Sequence, residues 1–408
     1  MTTTEPSGPI RTTPFPTVND LSGRRIGAEE LEAVTRVINS GQLNSTVGGE
    51  TRAWEQEFGA YCGVEHVVAC SSGTSALHLA VAAVNPGPGD EIITTGLSDA
   101  GTVLPIVMQN AIPVFADVDQ HTGILDPASV EAAITERTKA IIVVHLFGVP
   151  APVEELREIA DRHGVILIED CAQAYGTLTA SGARAGTVGH LGCFSLQQSK
   201  HITAGDGGMV ISKNEPDLVR RARLFADKAW PRDTNERTHL FLSLNYRMTE
   251  LQAAVARAQL PKLDGIVKDR RDRAHQLTEA IADLPGLRAA PVDGSSYWQF
   301  PLFIDPEQAG GDGHVYAKAL AEQGVAAGPG YIQRPLYLNP VLSEAKTYGD
   351  SGYPLTEVHD RYVRGLCPVT ESLIDGRLLV IGWNENYTAA DVDDIAAALR
   401  LASKQIAG

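Results

Sequence analysis

The sequence predicts an α/β fold: a mostly parallel central sheet with helices on both faces, followed by a smaller C-terminal α+β domain. Three observations carry this. Short apolar runs alternate with helix-spaced apolar residues from about residue 67 to 168. The runs are nearly continuous in apolar character, as expected of parallel strands covered on both sides. Beyond a long helical stretch at 249–284 the pattern changes to short strands mixed with helices.

Taken in order, residues 1–17 are rich in Thr and Pro and read as a flexible N-terminal arm. A buried strand is predicted at 67–70 (VVAC). The helix at 74–84 places Leu77, Ala80, Val81 and Val84 on one face. Strands are predicted at 91–95, 112–116 and 140–145, the last (AIIVVH) apolar up to its terminal His145. Val153, Leu156, Ile159 and Ala160 have helical spacing, and the strand 165–168 (VILI) follows. The helical stretch 249–284 carries a break at Pro261. After it come strands at 298–303 and 377–381 and helices at 314–323 and 389–402. The domain division read from this is an arm (1–17), a large α/β domain (18–270), and a linking helix with a small domain (271–408).

Composition excludes several classes. The 408-residue chain has a formal net charge of −16, which opposes binding to nucleic acid or to an anionic membrane surface. A small phosphorylated ligand is still compatible, because local dipoles override net charge. The five cysteines (Cys62, Cys70, Cys171, Cys193, Cys367) form no CxxC pair. Neither metal spacing nor a disulfide framework is suggested, and no metal site is expected. Residues 1–17 lack the basic and apolar regions of a leader, and no apolar run is long enough to span a bilayer. The expected location is the cytoplasm.

Three features fall where strands end, the place where open α/β sheets bind ligands. The first is Ser71-Ser72-Gly73-Thr74-Ser75, small residues that close a strand and open a helix. Free N–H groups and the helix dipole there favour a phosphate, although the same residues also serve as an ordinary helix cap. The second is Glu169-Asp170 at the end of VILI. Glu169 reads as a solvated strand-end charge. Asp170 reads as an anion able to stabilise a protonated ring nitrogen. The third is Lys200, set in the uncharged, glycine-rich stretch FSLQQSKHITAGDGG (194–208). A lysine desolvated there would have a lowered pKa and could form a Schiff base.

The ordered set of phosphate turn, strand-end Asp and lysine resembles the DegT-type family of fold type I enzymes dependent on pyridoxal 5'-phosphate (PLP). These are the sugar and aminocyclitol aminotransferases of secondary metabolism. The similar stretches are GGETRAWEQEFGAYCG (48–63), SSGTSALHLA (71–80), IPVFADVD (112–119), IEDCAQAYG (168–176), FSLQQSKHITAGDGG (194–208) and LNYRMTELQAA (244–254). The resemblance implies roles at these positions. Lys200 would be the Schiff-base lysine and proton shuttle, and Asp170 would pair with the pyridine nitrogen. Gln173 would contact the ring hydroxyl. Gly73, Thr74 and Ser195 would hold the phosphate. Asn245 would reach the phosphate of the neighbouring subunit, making the enzyme a homodimer with composite sites. A helix cap just before Thr249 is the competing reading of Asn245.

One departure bears on substrate. Many members that use sugar nucleotides place an aromatic residue in the stretch corresponding to Gly96–Gly101, where this chain has Asp99. That substitution, with QQSKH (197–201) and GWNENYT (382–388), resembles the aminocyclitol branch. The implied reaction is transfer from L-glutamine or L-glutamate to a keto-cyclitol such as scyllo-inosose or its 2-deoxy analogue. Asp99 and Tyr331 are the candidate substrate contacts. The competing readings are a cap on the following helix for Asp99 and an ordinary buried tyrosine for Tyr331. Trp383 reads as core. The alternative functions are a sugar-nucleotide aminotransferase and a non-catalytic regulator with a PLP fold. A dehydratase is disfavoured because the family's dehydratases replace the lysine by histidine, whereas Lys200 is intact.

Overall fold

The computed structural model describes residues 8–234, 236–290 and 293–407. Seven strands form the first sheet: β1 (His66–Cys70), β2 (Glu91–Thr95), β3 (Ile112–Ala116), β4 (Thr138–Val144), β5 (Ile166–Asp170), β6 (Leu191–Ser195) and β7 (Gly208–Ser212). Their order is β1-β7-β6-β5-β4-β2-β3. All neighbours pair in parallel except β7, which runs antiparallel to both β1 and β6.

The apolar strands are explained by burial on two sides. In β4, Ile141 and Val143 join a core with Leu156, Ile159 and Ala160 of the helix Val153–His163. The intervening Ala140 and Ile142 face the opposite core, which contains Leu77, Ala80 and Val81 of the helix Gly73–Val84. With a side-chain period of two, both alternating sets must therefore be apolar.

Beyond the first sheet, the Thr249 hydroxyl caps the helix Glu250–Gln259, accepting from Gln252 N. Pro261 produces a short 3-10 turn, Leu260–Lys262, and the chain continues into the helix Leu263–Ile281. Early apolar residues of that helix (Leu263, Ile266, Val267) pack in the large-domain core. Later ones (Ala274, Leu277, Ile281) pack in the small-domain core. The second sheet is antiparallel throughout, ordered β10-β11-β9-β8, with β8 (Leu287–Ala289), β9 (Gln299–Ile304), β10 (Ala327–Pro329) and β11 (Leu378–Gly382). Helices Gly313–Glu322 and Ala389–Ala407 complete this core, and Trp383 is buried in it.

Of the N-terminal segment, residues 1–7 lie outside the described residues. From Gly8 onward the chain lies along the small domain. Arg11 N donates to Gln323 O at 3.2 Å, and its guanidinium pairs with Asp391 and Asp394. Among the described residues no helix is long and apolar enough to cross a membrane. All five cysteines are free thiols.

Candidate active site

The carboxyl ends of the parallel strands converge on a cavity of about 400 Å³. It brings together eight of the nine residues expected from the sequence: Gly73, Thr74, Asp99, Asp170, Gln173, Ser195, Lys200 and Tyr331. Asn245 lies outside the cavity of its own chain. Nor is it a helix cap, since Thr249 takes that place; Asn245 Oδ1 accepts from Arg247 N at 3.3 Å.

Gly73 opens the helix that follows β1, and the Ser72 hydroxyl caps it by accepting from Ser75 N at 3.0 Å. The remaining first-turn amides have no intrahelical acceptors and carry the positive end of the helix dipole. A Cβ at Gly73 would stand 2.6 Å from Ser195 Cβ and 2.9 Å from Ser195 Oγ. The absent side chain thus leaves a close gap between the helix start and the end of β6.

Asp170, the last residue of β5, is 4 % exposed. Its oxygens accept from Thr102 Oγ1 at 2.9 Å and from Ala172 N at 3.1 Å. Burial pushes its carboxyl above the usual range, while these donors and Lys200 pull the other way. Its charge needs a cation, and a protonated pyridine nitrogen is one.

Lys200 follows β6 in a tight turn, its N–H donating to Gln197 O at 2.9 Å. Among the described residues its amine has no hydrogen-bonded or ion-paired partner; it sits 4.2 Å from the centre of the Trp298 ring. Burial lowers its pKa to about 8, against the opposing pull of Asp170 and Asp99. The amine is therefore substantially neutral, and nucleophilic, only a little above physiological pH.

Gln173 is held at both ends. Its Oε1 accepts from Phe147 N at 2.7 Å, and its Nε2 donates to the Tyr331 hydroxyl at 3.1 Å. Tyr331 has positive φ (64°), which aims a bulky side chain into the cavity from a backbone region unfavourable to it. Asp99 unites two readings that competed in the sequence. Its Oδ1 caps the turn at Gly101 N (2.8 Å), and the side chain lines the cavity.

Glu169 requires a correction. It is not a solvated charge: it is fully buried, because β5 lies in the middle of the sheet and its neighbour loops cover the strand end. The carboxylate accepts from His145 Nε2 (2.9 Å), Gly186 N (2.7 Å), Val188 N (2.9 Å) and Gly189 N (2.5 Å). His145 Nδ1 accepts from Ala151 N at 3.0 Å, so Nε2 carries the proton donated to Glu169.

Trp298 and Thr102 were not singled out in the sequence. Trp298 stands just before β9 and Thr102 ends the 3-10 turn Ala100–Thr102, so neither has a local signal. The only available hint was the position of Thr102 just beyond Asp99.

These residues fit PLP: an anion cradle at a helix start, a buried carboxylate for a ring nitrogen, and a largely desolvated amine with no hydrogen-bond or ion-pair partner among the described residues. The fold and site define an enzyme of the PLP-dependent fold type I class. The profile of the DegT/DnrJ/EryC1/StrS aminotransferase family matches residues 24–400, and the chain belongs to that family. It is a PLP-dependent aminotransferase. It is 37% identical over 365 residues to an L-glutamine:2-deoxy-scyllo-inosose aminotransferase of Streptomyces kanamyceticus, covering 84% of each chain. With an enzyme of the same name from Streptoalloteichus tenebrarius it shares 36% identity over 416 aligned positions, covering 96% of this chain and 95% of the other. An aminotransferase structure from Psychrobacter cryohalolentis superposes with a TM-score of 0.84 at 27% identity, over 95% of this chain and 99% of that one.

Proposed function

We propose that this enzyme transfers the amino group of L-glutamine to a keto-cyclitol of the 2-deoxy-scyllo-inosose type, in aminocyclitol biosynthesis. The observation that carries the reading is the single cavity in which Lys200, Asp170 and Asp99 meet. The relatives named for this reaction support the choice of substrates.

Bound PLP supplies an electron sink that acidifies the carbon bearing the amino group. The chain supplies the rest. Lys200 Nζ would hold the cofactor covalently and, once the donor's amine displaces it, would be free to take the proton from the donor carbon and return it. Asp170 keeps a proton on the ring nitrogen by its negative charge. Gln173 would contact the ring hydroxyl, and Gly73, Thr74 and Ser195 would hold the phosphate at the helix start. Asp99 Oδ2, free of the turn, accepts hydrogen bonds from ring hydroxyls, with Tyr331 opposite. The Trp298 ring, 4.2 Å from Nζ, limits water at the amine.

The active unit in this reading is a homodimer, Asn245 reaching the partner's phosphate. Support comes from the segment that carries it: Leu240, Leu242 and Leu244 are exposed, Leu242 at 95%. Such a run beside a polar residue suits an interface. The five free thiols suit a reducing cytoplasm.

One observation favours a sugar-nucleotide acceptor. Arg334 lines an outer cavity of about 480 Å³ that shares Ser98 and Asp99 with the inner one, and could meet a diphosphate. Arg364 is already paired with Asp375. The test is kcat/KM for keto-cyclitols against nucleotide-linked 4-keto sugars, with L-glutamine as donor. Preference for the cyclitols is expected; preference for the nucleotide sugars overturns the acceptor assignment.

A further inference from the structure

Beneath Lys200 lies a group of buried ions that the reaction does not consume. Arg270 is fully buried in the helix Leu263–Ile281. Its Nε and Nη2 both donate to Glu385 Oε2, at 2.9 and 2.6 Å. Glu385 lies just beyond β11, in the small domain. Its Oε1 stands 4.0 Å from Arg24 Nη1, with both side chains almost wholly buried. Arg24 Nη1 in turn donates to the main-chain oxygen of Lys200 at 2.7 Å.

A second path leads to the same amine. Arg270 Nη1 donates to Trp298 O at 3.1 Å. The Trp298 ring covers Lys200 Nζ, and its Nε1 donates to Ser199 O at 2.8 Å. On the other side of the lysine, His201 Nε2 bonds Ser296 O at 3.0 Å.

The network is not built for stability alone. Two guanidiniums share one carboxylate. Arg24 Nε and Nη2 and Glu385 Oε1 are buried without a hydrogen-bond partner. Burial lowers the Arg24 pKa to about 10 despite Glu385. An incompletely paired buried ion is costly. What this one obtains is a bond to the lysine's own carbonyl.

We propose that Arg24, Arg270 and Glu385 are positioning residues: they clamp the Lys200 turn and the Trp298 ring, and so fix the direction from which Nζ meets the substrate carbon. The proposal rests on the reading of Lys200 as the cofactor lysine. It ties the small-domain turn at Glu385 to proton transfer in the large domain.

The test uses PLP-loaded Arg24→Met, Arg24→Lys and Glu385→Gln enzymes, with Lys200→Ala alongside. For Arg24→Met and Glu385→Gln, kcat should fall about 10- to 100-fold, as small misplacements of a reacting group do. KM for L-glutamine should stay within about threefold. The pH midpoint of the lysine-bound cofactor's absorbance band should move by about half a unit or more. Arg24→Lys, whose ammonium can still donate to the carbonyl, should recover much of the rate. Should Arg24→Met fail to fold, Glu385→Gln decides, since it keeps an acceptor for Arg270. Variants with lowered Tm but wild-type kcat and midpoint would overturn the proposal and leave a structural role. If Lys200→Ala itself still turns over, it is the cofactor-lysine reading that fails.

Discussion

Gln173 Nε2 donates to the hydroxyl of Tyr331 at 3.1 Å, joining the side chain proposed to contact the cofactor ring to the one proposed to contact the substrate. Tyr331 also stands edge-on to Phe147, with ring centres 5.0 Å apart. Tyr331→Phe should keep that ring contact and lose only the hydroxyl. Acceptor kcat/KM should drop by about fivefold, the worth of one hydrogen bond of about 1 kcal/mol. Denaturant unfolding should change by less than about 1 kcal/mol. Unchanged acceptor kinetics would remove the hydroxyl from the site.

The lowered pKa of Lys200 predicts a pH profile for cofactor capture. Only the neutral amine bonds PLP, and the amine is neutral above about 8. Below that, the rate of PLP recombination with cofactor-free enzyme should rise about tenfold per pH unit, then level off. Asp99 raises the lysine's pKa, so Asp99→Asn should shift the levelling point to lower pH. A rate that climbs steadily to about pH 10 would indicate an unperturbed lysine.

Glu169 gathers four N–H donors in the core. Glu169→Ala would leave all four unsatisfied, His145 Nε2 among them. Unfolding free energy should fall by about 3 kcal/mol or more. A loss under about 1 kcal/mol in denaturant titration would show that the network contributes little.

This same residue shows where sequence reading stops. β4 and β5 were legible because strands buried on both faces must be apolar at every position. The strand-end placement of Asp170 and Lys200 was legible because α/β sheets bind ligands there. The burial of Glu169 was not, since its acceptor duties depend on the 186–189 turn and on His145, just beyond the end of β4. The helix Ala28–Ser40 was also not assigned. It buries Ala33, Val37 and Glu30 while exposing Leu31 and Ile38, so its apolar pattern does not mark its core face. Trp298 reaches Lys200 from almost a hundred positions away, a contact that only the packing of the two domains creates. The antiparallel course of β7 follows from a 196–207 connection that forms no helix and so makes no α-helical crossover between parallel strands.

The proposed homodimer predicts complementation. Lys200→Ala and Asn245→Ala chains should each be inactive or strongly impaired alone. Mixed, they form heterodimers with one site free of both changes, and up to about a quarter of wild-type activity should return with random pairing. Sedimentation should show a dimer under assay conditions. An active monomer would contradict the composite site.

Lys200 is the amine proposed to hold PLP. Borohydride reduction of the loaded enzyme makes that bond permanent, and peptide mass mapping then locates it. The account predicts the added pyridoxyl phosphate mass on Lys200. Its recovery on any other lysine, or on none, would contradict the assignment.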